Sequence, residues 1–208
     1  MWLGADAVGI ARWFPAHQMA DGGWNCEWVN GSTRSSFHST INSLKGLLYY
    51  EGETGGSDEL RAARRRGEEY LLERRLLYRL SSGEVVAPWS THFAYPFRWF
   101  YSALNAADYF RAAAIHDAAA PDPRITDAVE LVRFARQPDG TWVQECRHPG
   151  RVRFEMDVPA GELSKWLTFH AVPAKAVRRV ADSIMRPRRP RNFRTGASRH
   201  GLGPVVEV

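Results

Sequence analysis

A chain of 208 residues, 44% hydrophobic and 12% aromatic, is long enough to bury one core and has the composition of a folded globular protein. No apolar run approaches the length of a membrane span, and two cysteines, Cys26 and Cys146, do not make a disulfide framework. The formal charge of +5 belongs to one end: residues 186–199 hold six Arg and no acid, whereas residues 1–185 balance 22 basic against 22 acidic side chains.

Helical periodicity dominates from the start of the chain. Residues 6–18 carry Ala7, Ile10, Ala11 and Phe14 at helical spacing. The start of the chain has neither the basic nor the apolar region of an export signal, so a reducing, cytoplasmic setting is expected. A second helix over 35–51 opens with capping serines and runs Phe37, Ile41, Leu44, Leu48. A third, over 57–80, is long and amphipathic, with Asp58 and Glu59 in its first turn. A fourth starts after Pro96, over 97–113, and a fifth covers 122–137. A sixth, weaker one runs over 161–184 and is interrupted by Pro173. About six helices and no convincing strand pair make the class all-α. Residues 1–184 form the helical domain, and 185–208 an Arg/Pro-rich tail without a packed element. Such a tail suits an anionic surface; no basic face with interleaved aromatics in the body suggests nucleic acid.

The connections alternate in length. Helices two and three, and four and five, are joined tightly, while the segments 21–34, 81–95 and 139–160 are long and rich in Trp, His and Glu. Antiparallel hairpins then place all three long loops at one end, together with the N-termini of helices two, four and six. Loops gathered on a rigid scaffold are where function concentrates, and helix N-termini favour an anionic group such as a diphosphate.

Two of these loops open on one phrase: Gln18-x-x-Asp21-Gly22-Gly23-Trp24 and Gln137-x-Asp139-Gly140-Thr141-Trp142. A repeated helix end implies a repeated helical hairpin. The phrases resemble the QW motifs of squalene and terpene cyclases, a superfamily that includes protein prenyltransferase β-subunits. Residues 21–27, 35–40, 96–101 and 164–166 also resemble bacterial squalene-cyclase-like proteins. The resemblance spans roughly residues 8–172. It implies an α/α toroid, incomplete because a full ring needs about twice as many helices, and closing, if at all, by pairing into a homodimer. It also implies scaffold roles for Gln18, Gly22, Trp24, Gln137, Gly140 and Trp142. The Asp-x-Asp-Asp acid of the cyclases is missing, and the prenyltransferase zinc ligands do not match in spacing.

Function is expected at the loop-rich end, as binding, and possible transformation, of an apolar isoprenoid-like ligand. Glu27, His38 and Glu155 are the polar, candidate catalytic groups; Trp99, Tyr101 and Trp166 supply the apolar wall, and Arg98 and Asn42 further contacts. An acid in an aromatic cavity can protonate an alkene, and aromatic faces can stabilise a carbocation. Other readings stay open: a non-catalytic helical-repeat scaffold for a protein partner, and a carbohydrate-active toroid with paired carboxylates. Cys26, His38, His92, Cys146 and His148 are zinc-type donors, but they lack ligand spacing, and no cofactor or metal is required. His38, Asn42, Lys45 and Tyr49 on helix two, and Arg98, Ser102, Asn105 and Tyr109 on helix four, form polar stripes that face either a wet cavity or solvent.

Overall fold

The computed structural model describes residues 6–174; the Arg-rich tail, and the part of the sixth helix expected beyond 174, lie outside the described residues. Five helices follow in order: α1 (Val8–Ala16), α2 (Phe37–Thr54), α3 (Asp58–Glu73), α4 (Ala103–His116) and α5 (Thr126–Phe134). A sixth, α6, is described over residues 165–174. The molecule is mostly helical, as the periodicity predicts. The expectation of no strand pair is corrected by a short antiparallel ladder, β1 (Trp142–Val143) with β2 (Leu163–Ser164), in which Trp142 faces Ser164. Two residues per strand are too few to leave an alternating pattern in the sequence.

Local chemistry sets the helix ends. Ser36, Ser57 and Ser102 sit in extended conformation at the starts of α2, α3 and α4, and each hydroxyl accepts a first-turn backbone N–H. The third helix stops earlier than expected because Arg75 and Leu76 take positive φ, 46° and 62°. That turn drives Leu76 and Leu77 into the core. The fourth helix starts later than expected, at Ala103 rather than near Phe97, because Trp99 and Tyr101 are bonded to α2 as described below.

Helix α2 packs against α3 and α4, α1 against α3 and α2, and α4 against α5. The shared core takes Ile41, Leu44 and Leu47 from α2, and Leu71 from α3. It also takes Leu104 from α4, Val132 from α5 and Leu167 from α6. Each such side chain stabilises the fold by roughly 1.5–3 kcal/mol. The end opposite the α2 N-terminus is held by charge. Arg64, fully buried on α3, bonds Glu51 at 3.0 Å, Glu68 at 2.6 Å and Asp117 at 2.7 Å, fastening α2, α3 and the end of α4 together. Burial pushes the Glu68 carboxyl up, while Arg64 and the Tyr109 hydroxyl oppose the shift.

The two repeated phrases fold into one device used twice. Gly22 and Gly140 both take positive φ, 93° and 94°. In each copy the glycine N–H closes a turn onto the residue three before it, Met19 or Gln137. Each indole N–H donates to a carbonyl ten residues upstream: Trp24 to Phe14 at 2.8 Å, Trp142 to Val132 at 2.7 Å. Each tryptophan backbone N–H donates to a threonine hydroxyl in the first turn of the next helix, Thr40 or Thr168, both at 3.1 Å. Both tryptophans are buried. Gly22 and Trp24 thus make the same set of bonds in the first copy as Gly140 and Trp142 make in the second. The glutamines differ: aligned on the turn, Gln137 occupies the place of Met19, and Arg136 stands where Gln18 does. Gln18 Nε2 donates to the Gly22 carbonyl and Arg136 Nε to that of Gly140.

Candidate functional site

The second and third long loops converge. Phe93 and Glu145 exchange backbone and carboxylate bonds, and the Gln144 amide bonds the backbone N–H and C=O of Tyr95. Helix α2 meets the second loop where the His38 ring lies against Trp89, and the segment before α4 where His38 Nδ1 accepts the Tyr101 N–H at 2.8 Å. Beside it the Asn42 amide donates to the Trp99 carbonyl at 2.9 Å and to the His38 carbonyl at 2.7 Å. One turn further, the Lys45 amine bonds Asn105 and lies 5.2 Å from the centre of the Phe97 ring. Burial pushes that amine down from its ordinary value, and Asp108 opposes the shift. Of the polar stripe of α2, only Tyr49 is exposed to water; His38, Asn42 and Lys45 bond the segment before α4 and α4 itself. The stripe holds the approach to α4, and at its first turn it enters a groove.

That groove has a volume of about 730 Å³. Helix α1 and the first turn contribute Trp13, Phe14 and Trp24, and the segment before α4 contributes Trp99. The first turns of α2 contribute Ser36, His38, Ser39, Asn42 and Ser43, and Cys26 and Glu27 stand on a 3-10 turn (Cys26–Asn30) at the rim. Aromatic faces thus meet a strip of hydroxyls and imidazole. Among the described residues lining it, none is Lys or Arg, and the hydroxyl of Ser36 already caps α2. The expected attraction for a diphosphate has no cation behind it.

Histidine 38 is the most constrained polar group there. Because Nδ1 accepts a backbone N–H, the neutral ring carries its proton on Nε2, which has no partner among the described residues. Burial pushes its pKa down from the ordinary histidine value. The ring is flanked by Trp89 at 4.4 Å and Trp99 at 5.2 Å between centroids.

Of the residues singled out in the sequence, Glu27, His38, Asn42 and Trp99 come together at this groove. Glu27 is exposed and accepts from Asn30 Nδ2 at 2.6 Å. Four others lie elsewhere. Tyr101 is 1% exposed and gives its hydroxyl to the Leu76 carbonyl, so it belongs to the core rather than to a cavity wall. Glu155 is exposed and paired with Arg147 in the third loop. Trp166 stacks on Tyr95 and donates to the Met156 carbonyl. Arg98 donates to the Pro149 carbonyl at 3.2 Å. Trp13 and Phe14 were not expected here; their position one turn before the first Gln…Trp phrase was the available signal. Among the described residues no three His, Cys, Asp or Glu side chains converge to hold a metal, and Cys26 and Cys146 are both free. No helix among the described residues is long and apolar enough to cross a membrane.

Two other clefts are less suited to an apolar guest. One of about 270 Å³ is walled by the ion pairs of Arg124 with Glu69 and Asp122. Another of about 720 Å³ borders Asp108 and His170, 3.0 Å apart, next to the end of the described residues. No family model, curated protein or solved structure matches the chain.

Proposed function

We propose that this protein binds an apolar, isoprenoid-like molecule in the groove between Trp13, Trp24 and Trp99, on an incomplete α/α toroid of the terpene cyclase and prenyltransferase type. The observation that carries the reading is the groove itself: aromatic side chains from α1, the first long loop and the segment before α4 meet at the first turns of α2. The twice-used tryptophan anchor and the side-by-side packing of α1 with α3 and α2 with α4 support the toroid. Binding is the favoured activity. Glu27, the carboxylate nearest the aromatic faces, stands exposed on the rim, and Glu155 pairs with Arg147 away from it.

Native mass spectrometry and tryptophan fluorescence of the full chain test this. A co-purified lipid mass, or saturable quenching by an isoprenoid that Trp99→Ala weakens, supports the groove. A bare chain that no isoprenoid quenches removes it. In that case exposed Trp28 and Trp99 point to the scaffold reading, with a protein on the aromatic face.

A further inference from the structure

Resting on the groove reading above, we infer that the ligand is an uncharged apolar alcohol, held at its oxygen by the Nε2–H of His38, rather than a prenyl diphosphate or a plain hydrocarbon. Three observations lead there. The first is charge. Among the described lining residues Glu27 is the one with a formal charge, and no Lys or Arg offsets an anion. Moving a diphosphate from water to such a wall carries a large desolvation cost that no fixed cation repays.

The second is donor supply. The Asn42 amide is spent on the His38 and Trp99 carbonyls. The Ser36 hydroxyl accepts the Ser39 N–H at the α2 cap and donates to the Ser39 oxygen, which also accepts the Cys26 N–H at 3.0 Å, so of these two serines only Ser39 keeps a proton to give. His38 retains a donor, because the Tyr101 N–H fixes the tautomer that places the proton on Nε2. A hydrocarbon leaves that donor without a partner in the occupied groove, which costs affinity. An oxygen that accepts it restores the bond.

The third is the sign of the donor. A cationic head is drawn by the aromatic faces and by Glu27 only at the exposed rim, and at His38 it meets an N–H rather than an acceptor. The hydroxyl of Ser43, further along α2, also lines the groove and has no hydrogen-bond partner among the described residues.

The test is a titration of the full chain by tryptophan fluorescence with farnesane, farnesol, farnesylamine and farnesyl diphosphate, which share one tail. Farnesol is expected to bind about three- to tenfold tighter than farnesane, the effect of one buried hydrogen bond. Both charged compounds are expected to bind at least about tenfold more weakly than farnesol. Two substitutions at the same residue separate ligand contact from fold. His38→Asn keeps an acceptor near the position of Nδ1 for the Tyr101 N–H and removes the Nε2 donor; His38→Gln does the reverse. The His38→Asn protein is expected to lose the preference for farnesol over farnesane while retaining affinity for farnesane, and His38→Gln to keep the preference. Farnesyl diphosphate or farnesylamine binding as tightly as farnesol overturns the inference and leaves the groove reading standing. So does a preference that survives in His38→Asn. If none of the four binds, the groove reading falls and the inference with it.

Discussion

The first Gln…Trp turn and the second share a backbone turn, an indole bond to a carbonyl ten residues back, and a threonine in the following helix. They differ in what surrounds them. Gln18 reaches beyond its own turn: its amide donates to the Ala63 carbonyl of α3 at 2.8 Å, and its oxygen accepts from Arg66 at 2.8 Å. Gln137 sits one position later, and among the described residues its side chain bonds only the Ala135 carbonyl, at 3.2 Å. One edge of Trp24 lines the aromatic groove, whereas Trp142 is fully enclosed against β2 and α6. One local device therefore serves as pure scaffold in the second copy and as scaffold plus groove wall in the first. A motif fixes the turn, and the neighbouring helices decide whether the turn also meets a ligand.

The largest expected effect tests the shared part. Trp142→Ala and Trp24→Ala should each lower unfolding free energy in urea by about 3–5 kcal/mol. Under conditions where both variants remain folded, Trp24→Ala should also weaken isoprenoid quenching, and Trp142→Ala should leave the affinity unchanged. Equal effects on affinity would erase the distinction between the copies.

Next comes the close contact made by the first copy with α3. A Cβ on Gly67 would lie 2.5 Å from Cζ3 of Trp24, so Gly67→Ala must displace the indole. We expect a loss of about 1–3 kcal/mol from overpacking, measured by thermal or urea unfolding. Stability at the parent value would mean that the first turn is less tightly seated than its geometry states.

The glutamines sharpen the comparison further. Gln18→Ala removes bonds to Gly22, Ala63 and Arg66 and should cost about 1–2 kcal/mol. Gln137→Ala and Arg136→Ala act on exposed or local bonds and should each stay within about 0.5 kcal/mol. An equal loss at Gln137 would restore the symmetry that the sequence phrase suggests.

Smallest is the response to pH. Burial lowers the pKa of His38, and burial, Arg98 and His38 together lower that of His148. A base whose folded pKa lies below its unfolded value binds its proton first in the unfolded chain. Stability then falls as pH drops below the unfolded histidine value of about 6.5, and the loss is complete only below the folded pKa. Urea midpoints at about pH 7.5 and about pH 5 should differ less in His38→Asn than in the parent. An unchanged difference would place the pH dependence elsewhere.

Much of this molecule was legible because it is local. Capping serines, the apolar spacing of Ile41, Leu44 and Leu48, and the glycine turns before Trp24 and Trp142 are short-range rules that need no neighbour. Helix ends were read less well where a distant residue sets them. The bonds from His38 and Asn42 delay the start of α4, and the buried turn at Leu76 ends α3 early. The two-residue ladder was illegible because it is shorter than any period.

For the site the division is sharper. The sequence by itself determined that aromatic and polar residues would gather with the long loops at one end, since alternating hairpin lengths impose that geometry. Only the tertiary structure decided which of them share a surface. It placed Tyr101 in the core and Glu155 with Arg147, and it brought Trp13, from a different helix, beside His38 and Trp99. The reason is physical. Spacing along one helix fixes which residues share a face, but the partner of that face is chosen by packing, and a polar side chain spends its hydrogen bonds on whatever packing brings within reach.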